Sequence, residues 1–339
     1  MNILVTGAAG FIGFHTSNVL LKSGFNVFGL DSLNNYYSVK LKKKRILKLK
    51  KDFPKNFKFI KNNLNNEKLI LDLLKKKKIT IIIHLAAQAG VRYSLKQPLD
   101  YVKNNLAATT NLMEASRKHR KIRHFLLAST SSVYASSIKM PFNEKDPADF
   151  PLQFYAATKR STELMAHSYS HLYGIPFTIL RFFTVYGPYG RPDMALYKFT
   201  KNILNNKKID VYNHGKHVRD FTYVSDIALS IKKLLNKIPK NNEKFSLDKK
   251  ISFNSNAKIR VLNIGNGDPK ELEEYISKIE KYTKKKAKIN YLPFQIGDAL
   301  KTYANVNKLK KLIKFSPRVK IDEGIKKFVS WYINFSKSK

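Results

Sequence analysis

The sequence predicts an α/β protein built on a doubly wound parallel sheet, with a smaller C-terminal α+β lobe. Three observations lead there. From residue 2 to about 182, short β-rich segments alternate with helix-like ones. Fully apolar strands separated by helices imply a parallel sheet covered on both faces, because each parallel crossover needs a helix. The stretch "NILVTGAAGFIG" (residues 2–13) breaks from an apolar run into small residues, with Gly7, Gly10 and Gly13 spaced three apart. Asp31 closes the second apolar run, 18 residues beyond Gly13.

The elements follow in order. "NILVTG" is a short apolar run ended by glycine, hence a buried strand, and "FIGFHTSNVLLKSG" is too long for one and reads as the first helix. "NVFGLD" is the second strand, a lysine-rich helix follows, and "FKFIKNN" is the third strand. The helix near "EKLILDLLKKK" leads to "ITIIIHLAA", whose consecutive isoleucines suit a strand buried on both faces. "YVKNNLAATTNLMEASRKH" is a helix, "IRHFLLAST" a strand ending in hydroxyl residues, "YAATKRSTELMAHSYSHLYG" a helix closed by glycine, and "FTILRFF" a strand. After "RFFTVYGPYGRPDMA" the rhythm becomes irregular, as expected of a lobe over the carboxyl edge of the sheet, where ligands of such folds sit. The expected division is a dinucleotide-binding domain over 1–182 and a substrate lobe over 183–339, some of whose segments return to the first domain. Residues 239–258 are polar and weakly patterned and read as a loop, and no tandem repeat is present.

Composition narrows the function classes. Zero cysteines exclude disulfides, thiolate metal sites and cysteine nucleophiles, and suit a reducing cytoplasm. No stretch reaches the roughly 18 apolar residues of a membrane span, so no membrane insertion is expected. The formal charge of +40 raises a nucleic-acid partner. Runs such as "KLKKKRILKLKK" (40–51) and "LLKKKK" (73–78) are scattered, however, and accompany abundant Asn, Ile, Phe and Tyr. They read as solvated helix faces and loops loaded by base composition, without a specific nucleic-acid site.

Strand, glycine turn and helix form the start of a dinucleotide fold: the turn needs a residue without Cβ, the pyrophosphate needs close backbone approach, and the helix must pack on its strand. Alone the triplet is a weak signal; Asp31 strengthens it, because a carboxylate there accepts from an adenosine ribose and repels a 2′-phosphate. The cofactor expected is NAD. Five Tyr-x-x-x-Lys pairs begin at Tyr36, Tyr155, Tyr197, Tyr212 and Tyr282, and composition alone accounts for several. Context singles out Tyr155 and Lys159. They open a helix just after the hydroxyl-ended strand and share one helical face towards the sheet's carboxyl edge. A nearby ammonium is expected to favour the phenolate and lower the tyrosine pKa, making a proton shuttle.

The G-x-x-G-x-x-G spacing with "YAATK" resembles the extended short-chain dehydrogenase/reductase superfamily. Along nearly its full length the chain resembles the UDP-glucuronate 4-epimerase family, through "GAAGFIG", "HLAAQAGVRYSL", "YAATK", "ELMAHSYSHLYGIP", "LRFFTVYGPYGRPDMALYKFTK", "DVYNHGKHVRDFTYVSDI" and "FVSWY". Residues 179–226 resemble it more than the UDP-galactose branch, where asparagine is expected in place of Thr184. The resemblance implies inversion at C4 of a UDP-hexuronic acid, UDP-glucuronate to UDP-galacturonate, through a transient 4-keto sugar, in surface-polysaccharide precursor synthesis. It places Tyr155, Lys159 and Thr130 in catalysis. Gly7, Gly10, Phe11, Ile12, Gly13, Asp31, Asn34, Asn63, Leu64, Leu85, Ala86, Ala87 and Asn105 fall at the cofactor, with Tyr155 and Lys159 touching it too. Ser131 and Ser132 fall beside the sugar, Thr184 and Arg191 at the uronate carboxylate, Arg219 at the UDP phosphates, Asp298 at the uridine ribose, and Arg92 and Tyr212 elsewhere on the substrate. It also implies a homodimer using two helices per subunit, one of them bearing Tyr155.

Departures from the family pattern are Asn63 for an adenine-binding aspartate, Ala135 for a common glycine and Asn305 for an aspartate. His167 and His171 have zinc-ligand spacing, but Ser168 replaces the glutamate of H-E-x-x-H, so a helix or subunit face is expected and no metal. "GNGD" (265–268) reads as a turn after "RVLNIG". The competing functions are a UDP-glucuronate decarboxylase, a 4-epimerase of neutral UDP-sugars such as UDP-glucose or UDP-GlcNAc, and, in a different class, a non-catalytic NAD-binding regulator or RNA-associated scaffold.

Overall fold

The structure is a computed structural model describing residues 1–134, 137–241, 255–295 and 297–337. Its strands are β1 (Asn2–Thr6), β2 (Asn26–Asp31), β3 (Phe57–Lys61), β4 (Ile81–His84), β5 (His124–Thr130), β6 (Phe177–Phe182), β7 (Thr184–Tyr186), β8 (Lys208–Tyr212), β9 (Val218–Tyr223), β10 (Ile259–Ile264), β11 (Pro269–Glu271) and β12 (Lys288–Leu292). Seven of them form one sheet in the order β10-β6-β5-β4-β1-β2-β3, with all six pairings parallel. The doubly wound α/β fold expected from the sequence is therefore present. The strand order reverses between β1 and β4, which opens a crevice at their carboxyl ends.

Both faces of the sheet are covered. Helices Phe11–Lys22, Val39–Asp52 and Val224–Leu234 bury Phe14, Leu20, Ile46, Leu49, Ile227 and Ile231 against one face. Helices Glu67–Lys76, Ala108–His119 and Phe154–Tyr173 bury Ile70, Leu112, Met113 and Ala166 against the other. The lobe has its own core, with Phe199, Val211, Phe221, Tyr275 and Phe328 packed together. It is organised by the sheet β11-β9-β7 and the parallel pair β12-β8. Three segments beyond residue 183 belong to the large sheet layer: β10 pairs with β6, helix Val224–Leu234 packs on helix Phe11–Lys22, and helix Asn307–Ile313 packs on β10 with Leu309 and Ile313 in the same core.

One reading of the lysine runs needs correction. Helix Val39–Asp52 is not simply a solvated face, since Lys42 and Arg45 on it are buried. Arg45 donates to Ala9 O, Tyr37 Oη and Tyr189 O, at 2.7, 2.7 and 2.5 Å, and thereby ties the glycine turn to a loop of the lobe. The aliphatic stems pack while the charged ends find oxygens, which residue spacing alone does not reveal. Ala135 and residues 242–254 of the expected loop lie outside the described residues. No helix among the described residues is long and apolar enough to cross a membrane.

Helix Phe154–Tyr173 is fixed to the sheet by a buried ion pair. Glu163 accepts from Arg181 of β6 at 2.9 and 2.6 Å, and from Ser129 of β5 at 2.5 Å. Burial alone would raise its carboxyl pKa, but Arg181, Ser129 and Arg160 together hold it below the usual carboxylate value. Glu163→Gln leaves the Arg181 guanidinium buried without its counter-charge, which costs about 3–5 kcal/mol and lowers Tm in a thermal melt. The wild-type advantage is present above the ordinary carboxylate pKa and fades as pH falls through the lowered folded value.

Candidate active site

The carboxyl edge of the sheet and the lobe enclose a cavity of about 730 Å³, within the usual range for small-molecule sites. Its floor at one end is the turn between β1 and helix Phe11–Lys22. Gly7 has φ +69°, and a Cβ on Gly13 would lie 2.0 Å from Gly7 O. Only glycines let the helix start this close to its strand. Gly10 caps that helix without a side-chain hydrogen bond, so its first N–H groups are left for an anion. Asp31 ends β2 with its carboxylate accepting Ala9 N–H at 3.0 Å and Leu33 N–H at 2.8 Å. The same cavity wall holds Phe11, Ile12, Asn34, Asn63, Leu64, Leu85, Ala86 and Ala87. A glycine cradle, a helix start open to phosphate and a fixed ribose-height carboxylate fit a dinucleotide, and these residues would hold it. The amide oxygen of Asn63 also accepts Asn65 N–H at 3.0 Å.

Asn105 is a correction. It does not line the cavity: buried behind the wall, it accepts Gln88 N–H at 2.8 Å and donates to Gln88 O and Thr158 Oγ1 at 3.1 and 3.0 Å. Its amide locks the β4 loop to the Tyr155 helix, because a buried side-chain amide takes the nearest backbone partners.

Thr130 at the end of β5, Tyr155 in the first turn of helix Phe154–Tyr173 and Lys159 one turn later all line the middle of the cavity. Lys159 is 3 % exposed, and burial lowers its pKa to about 8 against the opposing pull of Glu163. The expected depression of the Tyr155 pKa is overturned. Burial raises it, because a phenolate loses its water; the charge of Arg191 and a hydrogen bond with Thr130 act in the opposite direction. The charge of Arg191 thus joins Lys159 as a cation of the same cavity. The ring of Tyr101 meets Tyr155 edge-on, with centroids 6.1 Å apart.

Ser131, Ser132, Thr184 and Arg191 also line the cavity, and Arg92, Tyr212, Arg219 and Asp298 line its lobe end. Arg92 pairs with Asp298 at 3.2 Å and stacks over Tyr212 at 4.2 Å. Arg219 donates to Val218 O and Leu300 O at 3.0 and 2.9 Å; burial lowers its pKa to about 10, with Asp298 acting against it. Arg191 is committed to Asp193, from Nε at 3.0 Å and Nη2 at 2.5 Å. Asp193, Tyr36, Lys42 and Tyr101 were not singled out from the sequence as site residues. Asp193 stands two places after Arg191 in a quoted block, and Tyr36 begins one of the five Tyr-x-x-x-Lys pairs. Lys42 donates to Asn34 O and Oδ1 at 2.7 and 2.6 Å, and burial lowers its pKa to about 8.

The two remaining motifs have structural partners. His167 and His171 stack with parallel rings, 6.5 Å between centroids, and bond Ser255 and Asn256. The "GNGD" turn is held by Asp220 of β9, whose carboxylate accepts Asn266, Gly267 and Ala304 N–H at 2.8, 2.9 and 3.0 Å.

Residues 4–328 match the GDP-mannose 4,6 dehydratase family. Protein CapI of Staphylococcus aureus is 48% identical over 99% of this chain and 100% of its own length. UDP-glucuronate 4-epimerase 4 of Arabidopsis thaliana is 40% identical over 99% of this chain and 76% of its own. The crystal structure of UDP-glucuronic acid 4-epimerase from Bacillus cereus, in complex with UDP-glucuronic acid and NAD, superposes with a TM-score of 0.86 at 34% identity, over 99% of this chain and 100% of that one. The chain belongs to the UDP-glucuronate 4-epimerase family. In this member of the epimerase family, the cofactor end is where the backbone tolerates least. Gly13→Ala drives a Cβ into Gly7 O; the turn must shift, at about 1–3 kcal/mol, and titration with NAD is expected to show affinity at least tenfold weaker.

Proposed function

We propose that the protein is an NAD-dependent UDP-glucuronate 4-epimerase, interconverting UDP-glucuronate and UDP-galacturonate through a 4-keto sugar. The observation that carries this is the convergence of Tyr155, Thr130, Lys159 and Arg191 in one cavity with a dinucleotide turn at one end. NAD, when bound, supplies the reversible hydride exchange at C4. Tyr155 Oη takes the 4-hydroxyl proton and later returns it, and Thr130 Oγ1 holds the 4-oxygen against the phenol. Lys159 adds positive charge beside the cofactor and phenol. Arg219, whose cationic form burial disfavours, gains most from a diphosphate, and Arg92 and Asp298 lie at the same end. Holding both nucleotides fixed leaves the sugar ring free to turn between the two hydride steps. Arg191 and Thr184 favour an acidic sugar over a neutral one, since a guanidinium fork suits a carboxylate. We assign this chemistry to the cytoplasm and to precursors of surface polysaccharide.

A homodimer belongs to the same reading. Helices Tyr93–Lys96 and Pro98–Tyr101 lie beside helix Phe154–Tyr173, and the set exposes Leu95, Leu99, Leu164 and Leu172, with Leu99 at 78 %. Exposed apolar side chains on three adjacent helices suit a second copy around a two-fold axis.

Three measurements test this reading. NMR of the products from UDP-glucuronate should show UDP-galacturonate; UDP-xylose would favour the decarboxylase, and turnover of UDP-glucose alone the neutral epimerase. Tyr155→Phe should lose about 10²–10⁴-fold in turnover while still binding NAD. In light scattering, Leu99→Lys with Leu164→Lys should halve the mass of the wild-type particle; an unchanged mass would place the interface elsewhere.

A further inference from the structure

One edge of the Arg191 guanidinium is already occupied within the protein. Its Nε and Nη2 edge is taken by both oxygens of Asp193, and Nη2 also bonds Ala89 O. Tyr36 Oη donates to Asp193 at 3.2 Å, and its ring lies 5.9 Å from the guanidinium. The Tyr36 hydroxyl rests where a Cβ on Gly90 would fall. Three loops at the carboxyl edge, following β2, β4 and β7, thus meet in one latch, and Tyr36, Ala89, Gly90, Arg191 and Asp193 all line the cavity.

The latch and Tyr155 line the same cavity, and the charge of Arg191 is felt at Tyr155. C6 of a hexuronic acid is two bonds from C4, so a cation near the phenol stands where the sugar carboxylate falls. One fork cannot pair bidentately with two carboxylates through the same edge. A partly buried guanidinium also needs a counter-charge when no acidic sugar is present.

We propose that Asp193 is a specificity-determining residue that works by carboxylate exchange: it holds the Arg191 fork in the resting enzyme, yields it to the uronate, and reclaims it while the ring turns. This rests on the UDP-uronate reading above. A neutral sugar has nothing to offer in place of Asp193 and leaves the pair intact. An acidic sugar takes the fork in competition, so it is gripped less tightly than by a free arginine. Epimerisation needs that looseness, because a fixed carboxylate would tether C5 and hinder rotation of the ring. Tyr36 steadies Asp193 in the resting position.

Calorimetric titration of UDP-glucuronate, UDP-glucose and UDP into the NAD-loaded wild type and Asp193→Asn, with kcat measured alongside, tests the exchange. The variant should bind UDP-glucuronate about tenfold more tightly, the effect of roughly 1.4 kcal/mol. UDP-glucose and UDP should change less than about twofold, and kcat should fall severalfold as KM falls. Tyr36→Phe, which removes one hydrogen bond from Asp193, should move the same quantities the same way but less, and serves if Asp193→Asn does not fold. Weaker UDP-glucuronate binding by the variants, or equal changes for all three ligands, would make Asp193 a structural support for Arg191 and overturn the exchange. A wild type that binds UDP-glucose as well as UDP-glucuronate and epimerises only the former would overturn the uronate reading itself, and the exchange with it. A wild type that prefers UDP-glucuronate, with variants that match it, overturns the exchange alone.

Discussion

The buried Glu163 carboxylate is the interaction on which the geometry of the site depends. It joins Ser129 on β5 and Arg181 on β6 to the helix that carries Tyr155 and Lys159. A helix held to a sheet by apolar contacts alone can slide by fractions of a turn; a paired charge with two partners on neighbouring strands defines one position. Asn105 acts at the other side of the same helix, binding both Gln88 and Thr158. The helix that carries the phenol is therefore held by Glu163, Arg181 and Asn105, none of which lines the cavity.

Burial sets the electrostatics of the cavity. It raises the Tyr155 pKa, lowers that of Lys159 to about 8 and lowers that of Arg219 to about 10. Each shift is a charge without enough water, and each is relieved by a ligand of the opposite sign or by transfer of a proton. Two bound anionic groups, a dinucleotide and a UDP-sugar, would supply the missing negative charge to the cations. Burial disfavours the Tyr155 phenolate, while the charge of Arg191 and the hydrogen bond with Thr130 favour it. Such a site favours acid–base chemistry on a bound sugar over simple ligand storage.

Much of this was legible in the residues. The apolar runs with intervening helices gave a parallel sheet, because no other arrangement buries such strands on both faces. The glycine triplet identified the dinucleotide turn, since only glycine permits the Gly7 conformation and the Gly13 approach. Position after a hydroxyl-ended strand separated Tyr155 from the other four Tyr-x-x-x-Lys pairs. Asn105 was misread because an amide carries donors and acceptors that serve a ligand or a backbone equally well. The phenol's pKa was misread because helical spacing brings Lys159 near Tyr155 but says nothing of how much water either keeps. Arg45 and Lys42 were hidden within a lysine-rich helix whose composition resembles that of any solvated surface.

By itself, then, the chain order determined the sheet, the turn and the family, and singled out Tyr155 and Lys159 as the proposed catalytic pair, since these follow from local spacing and from residue types with few substitutes. Only the tertiary structure decided that Arg191 shares the cavity of the phenol, which amide supports the wall, and that Asp193 and Tyr36 close on Arg191. Those contacts join residues far apart in sequence, Tyr36 to Asp193 being 157 positions distant. Their energies depend on burial and direction, which exist only once the loops after β2, β4 and β7 have been brought to one edge.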